Sequence, residues 1–175
     1  MTADLAYPIG RFTRPDQVSP GQVRDAIARI AALPAAFRAA VGPLTEAQLA
    51  TPYRPGGWTV RQLAHHVPDS HLNAYVRFKL ALTEPEPTIR PYDQDAWAAL
   101  PDTLGAPVGV SLDLLTALHA RWVVLLEALT PEQWSRRFHH PETGSQRLDQ
   151  VVLHYAWHSD HHLAHVTRLR ERMGW

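Results

Sequence analysis

Residues 147–173 read RLDQVVLHYAWHSDHHLAHVTRLRERM, with no glycine or proline in the stretch. Leu148, Val151, Val152, Tyr155, Leu163, Val166 and Leu169 recur at intervals of three and four, the stripe of an amphipathic helix. Extended by threes and fours, the stripe passes through His158 or Ser159 and then His162. His158 and His162 therefore belong on the inward face, one turn apart, with Cβ atoms roughly 5–6 Å from each other. Two inward imidazoles without partners would cost about 1–3 kcal/mol each. A shared cation satisfies both, and imidazoles four apart on a helix hold zinc in metalloproteases. His161 and His165 repeat the spacing, but lie about 100° round the helix and are expected nearer the polar side.

Working outward, three more long helices are expected. Ser19-Pro20 supplies an N-cap and an N1 proline to a stripe of Val23, Ile27, Ile30, Phe37 and Val41, with a kink expected at Pro34. Thr59 and Gln62 form a capping-box pattern that opens a helix through Leu63, Val67, Ala74, Phe78 and Leu82. Pro68 predicts a kink there, close to His66. Ser111 is the expected cap of a helix carrying Leu112, Leu115, Leu118, Val123 and Leu126. Short helices are expected after Thr45 and Thr130, each followed three residues on by glutamine. Residues 1–18 read as an irregular arm. From Glu84 to Val110, 27 residues with five prolines make a connection far longer than the roughly 2–8 residues usual between bundle helices. That length fits a crossover or a lid. No convincing strand pattern appears, so the expected fold is all-α: one domain over residues 1–175, a four-helix bundle with a long crossover between its second and third helices.

Composition narrows the function classes. The chain has no cysteine, which excludes disulfides, thiolate ligands and a cysteine nucleophile. Its 17 basic and 17 acidic residues balance, and no basic stripe marks a nucleic-acid binder. No stretch reaches the roughly 18 uncharged apolar residues that mark a membrane span, and the start carries no signal-peptide pattern, so a cytoplasmic protein is expected. Eleven histidines remain as the main signal. Two ligands make a poor catalytic site, since catalytic zinc takes three and leaves a position open. The second helix offers His65 and His66 as the third ligand. The pattern leaves both open and leans to His66, which follows Leu63 by three. Asp69, Asp160 and His71 are candidates for a base or for support of a ligand; Arg77, Lys79 and Arg90 are candidates for holding an anion. Trp97 and Trp157 are expected as core or interface aromatics.

Several segments carry a family resemblance: YPIGRF at 7–12, WTVRQLAHH at 58–66, DSHLN at 69–73, RFKLAL at 77–82, IRPYD at 89–93, Trp97 and YAWHSDHH at 155–162. In them the chain resembles the YfiT-like, metal-dependent hydrolase branch of the DinB superfamily. The resemblance implies a four-helix bundle, a homodimer, and one zinc or nickel ion per subunit on His66, His158 and His162. It implies a small-molecule substrate and water activation at the ion. The alternative is a thiol transferase joining a low-molecular-weight thiol such as bacillithiol to an electrophile. A third reading is a non-enzymatic bundle stabilised by its metal.

Overall fold

The computed structural model describes residues 4–175, so the expected arm at 1–18 is described from residue 4 onward. Four long helices form the bundle: α1 (Pro20–Val41), α3 (Val60–Thr83), α6 (Val108–Glu127) and α8 (Leu148–Met173). Four short ones join them: α2 (Glu46–Leu49), α4 (Gln94–Ala98), α5 (Pro101–Gly105) and α7 (Pro131–Trp134). The expected capping boxes form at Thr45, Thr59 and Thr130, and the expected N-cap Ser19 forms one as well, each hydroxyl accepting the backbone N–H of the glutamine three residues on. α1 and α3 continue as single helices through Pro34 and Pro68, where kinks were expected.

Three local expectations give way. An antiparallel hairpin, β1 (Arg137–His140) with β2 (Gly144–Arg147), stands just before α8. It was illegible because only Phe138 is buried in it, so there is no alternating apolar run. α6 starts at Val108 after Pro107, not at a Ser111 cap; the Ser111 hydroxyl instead contacts His65. α6 is also, among the described residues, the one helix long and apolar enough to cross a membrane by length and hydropathy, a feature the sequence reading did not anticipate.

α1 packs on α6 and α8, and α3 packs on the same two, so α1 and α3 lie diagonally opposite. Arg61 and His65 near the start of α3 reach Ala106 and Ser111 at the start of α6, so these two neighbours run parallel. A parallel neighbour requires the chain to travel back the length of a 24-residue helix, about 36 Å at 1.5 Å per residue. That return is the physical reason for the long crossover. It is pinned to the hairpin by Ile89 and Pro87 bonding to His139, and to α3 by Gln62 donating to the Ala98 carbonyl.

The core is divided. One apolar cluster centres on Phe78, Trp122 and Tyr155, the other on Phe37, Leu63 and Leu115. Between them the buried positions are polar: Ser70, His71, His119, Ser159 and His162. Phe37 is fully enclosed in the second cluster. Phe37→Ala should therefore cost about 3–5 kcal/mol in a urea unfolding titration; a loss below about 1 kcal/mol would mean that this cluster is not packed as described.

Candidate metal centre

α3 and α8 face each other across the polar layer, and each brings histidines to it. On α8 the i,i+4 geometry sets His158 and His162 with their Nε2 atoms 3.0 Å apart. From α3, His66 places its ring centroid 5.0 Å from that of His162 and 5.6 Å from that of His158. One nitrogen from each of the three rings lies within 4.8 Å of the others, a group that could hold a metal ion. Burial pushes His66 down to about 4 and holds His158 and His162 well below the ordinary histidine range, with neighbouring imidazoles adding to the effect. The three rings are thus neutral donors at neutral pH. Two ring nitrogens at 3.0 Å either share one N–H or flank a cation. The donor set fits a divalent ion.

This group forms the floor of an open cavity of about 500 Å³. Its walls come from segments the sequence did not connect to it. Ala6 and Tyr7 of the arm, Tyr53, Arg54 and Gly56 to Trp58 after α2, and Gln94 and Asp95 of the crossover all line it. Trp58 packs against His66 at 4.6 Å and donates its indole N–H to Asp95 at 3.0 Å, tying the crossover to the cavity rim. Gly57 is forced by this wall, because a Cβ there would lie 2.7 Å from Arg54 Cγ and 3.3 Å from Tyr53.

The other candidate residues separate clearly. Asp160 is ion-paired with Arg29 of α1 at 2.5 Å and does not line the cavity. Its position two residues after His158 turns it to the α1 side of α8. Asp69 is half-buried, with its carboxyl pushed up to about 6 by burial and then by Asp102, but it too stands outside the cavity lining. His65 points to α6, with Nδ1 2.7 Å from Ser111 Oγ. His71 lies against His158, with Nε2 3.0 Å from Nδ1. Arg77, Lys79 and Arg90 do not line the cavity; Arg54 does. Trp157 is a cavity wall rather than a plain core aromatic, stacked on His161 at 4.4 Å. His161 and His165 are buried, not on a polar face, because Tyr7 and Ala6 of the arm and Tyr53 cover them. With His162 they make a second group of three close nitrogens. His119, which the sequence did not single out, is buried beside His71.

Residues 29–166 match the DinB superfamily. The chain belongs to that superfamily. Proteins of Bacillus cereus and Bacillus thuringiensis, each bearing the name "putative metal-dependent hydrolase", are 51% identical to it over 172 residues, covering 98% of this chain and 99% of theirs. The solved structure of YfiT from Bacillus subtilis, described as having an unusual four-helix bundle topology, superposes with a TM-score of 0.96 at 48% identity, covering 98% of this chain and 99% of that one. A second four-helix bundle protein of known structure shares the fold with a TM-score of 0.55 at 23% identity. The DinB member is accordingly a four-helix bundle related to metal-dependent hydrolases by name, with a histidine cluster able to take an ion.

Nearly every histidine of this DinB protein has its pKa lowered by burial, several of them to about 4. The unfolded chain takes up protons first as pH falls, near the ordinary value of about 6.5. Stability is therefore complete above about pH 6.5 and lost as pH falls towards about 4. Urea midpoints measured from about pH 7.5 down to about pH 5 should decline steeply; midpoints flat across that window would contradict the burial of these rings.

Proposed function

We propose that this protein is a metal-dependent hydrolase of small molecules, with one zinc or nickel ion per subunit held by His66, His158 and His162. The observation that carries the reading is three neutral imidazole nitrogens within 4.8 Å of one another on the floor of an open cavity. Three ligands with open space above them is the arrangement of a catalytic site, whereas a structural zinc site is closed by a fourth. When bound, a divalent ion on three neutral imidazoles supplies a Lewis acid and lowers the pKa of water to about 7. The chain's own contribution is placement. Trp58, Trp157 and Tyr7 offer flat apolar surfaces to a substrate, and Arg54 offers a cation for an anionic group on it. The Trp58–Asp95 bond keeps the crossover against the rim.

Protein prepared without a nickel column should carry about one zinc or nickel per chain by elemental analysis. His162→Ala should lose the ion and ester or amide cleavage while helicity by circular dichroism largely persists, since the two apolar clusters do not include His162. A folded wild-type protein without metal would overturn the proposal. Turnover of an electrophile that requires an added small thiol would replace hydrolysis by thiol transfer. Loss of all helicity on chelation would make the ion structural.

The outward side of α6 supports a homodimer. Val110, Leu114 and Val124 recur there at helical spacing and are 61%, 42% and 68% exposed, an apolar stripe that a symmetric partner would cover. Light scattering should give twice the 19.7 kDa chain mass, and Leu114→Glu with Val124→Glu should give the monomer. An unmodified chain that is monomeric at working concentration overturns the homodimer.

A further inference from the structure

In a regular helix the carbonyl of Ile30 would accept the N–H of residue 34. Residue 34 is proline and has no N–H to give. The carbonyl is taken by a side chain from another helix, with His119 Nδ1 of α6 lying 2.6 Å away. A carbonyl only accepts, so the His119 proton is on Nδ1 and its Nε2 carries a lone pair. His119 Nε2 is 2.8 Å from His71 Nδ1, which must therefore donate. His71 Nε2 is then an acceptor, and it lies 3.0 Å from His158 Nδ1. With one proton to each ring, each of the two ring–ring contacts is a single N–H···N bond. Reading the chain from its fixed end leaves one assignment for each ring.

We infer that Pro34, His119 and His71 form a positioning chain that holds His158 in the Nδ1–H tautomer, with its Nε2 lone pair turned to the ion. The inference rests on the reading of His158 as a ligand and adds the device that orients it. Metal-bound histidines usually donate their second N–H to a carboxylate, a carbonyl or water. Here the donation passes through two neutral imidazoles to a backbone carbonyl that a proline has set free.

A second contact set agrees from the opposite side. His165 Nε2 lies 3.2 Å from the Ala6 carbonyl and so donates to it, leaving Nδ1 as an acceptor. It lies 3.4 Å from His162 Nδ1, and a donation across that contact puts the His162 proton on Nδ1 and bares its Nε2. The Nε2 atoms of His158 and His162, 3.0 Å apart, then face each other as two lone pairs. That pairing is repulsive unless a cation lies between them.

The tautomers can be read directly. In long-range ¹⁵N–¹H spectra of metal-free protein labelled at histidine, His119 and His158 should both show the Nδ1–H form; an Nε2–H signal from either overturns the chain. Ion affinity gives the second readout, measured by zinc competition with a chromophoric chelator. His119→Phe should weaken zinc about 10–100-fold. His119→Gln should restore most of that, because its amide can donate to Ile30 and accept from His71. Unchanged affinity in a folded His119→Phe protein, or equal weakening by both variants, overturns the chain. If His119→Phe does not fold, the tautomer spectrum of the unmodified protein decides alone. A wild-type protein that shows both Nδ1–H forms yet takes no zinc would remove the metal reading and leave the positioning chain intact.

Discussion

A buried imidazole has two nitrogens, and each must find something to do. That constraint organises the middle of this bundle. Leaving one polar group unpaired in the interior costs about 1–3 kcal/mol, so a layer holding His66, His71, His119, His158 and His162 is tolerable only with its nitrogens assigned. For His71, His119, His158 and His162 the structure assigns them by linking rings to one another and ending the links on backbone carbonyls at Ile30 and Ala6, while His66 turns to the cavity. What is left over is a set of lone pairs gathered at one point. The apolar clusters above and below the layer hold the helices together whether or not anything fills that point.

The absence of carboxylates from this hydrogen-bonded core has an electrostatic meaning. A carboxylate behind a ligating histidine makes it more basic and offsets some of the ion's charge. Neutral histidines and amide carbonyls do neither. A divalent ion held here would keep nearly its whole charge for whatever enters the cavity.

The fold was legible where the period of the apolar residues was unbroken. Leu148 to Leu169 marked α8 and put His158 and His162 on its inner face, and the Ser19 N-cap and the Thr59 and Thr130 capping boxes placed three helix starts. The choice of His66 over His65 was only weakly readable, because adjacent residues differ by about 100° and α3 is buried on several sides. His119 was not readable at all. Its role depends on facing His71 on α3 and Pro34 on α1, and periodicity holds no record of which helices become neighbours. The same gap hid the parallel pairing of α3 with α6 and the covering of His161 and His165 by the arm. Asp160 went astray for a related reason: proximity to His158 and His162 in sequence suggested a role, but two residues, more than half a turn, carried it to Arg29.

The cavity has a floor made of helices and much of its wall from the segments that join them. His66, His158 and His162 sit on α3 and α8, whereas Tyr7, Arg54, Trp58 and Asp95 belong to the arm, the segment after α2 and the crossover. Connecting segments accept substitution and insertion far more readily than packed helices do. Lineages can therefore remodel reach, shape and charge around a fixed histidine cluster, one segment at a time, without disturbing the bundle. Differences in diet among relatives should then be written in these three stretches of connecting chain, and a comparison restricted to the histidine motif would pass over them.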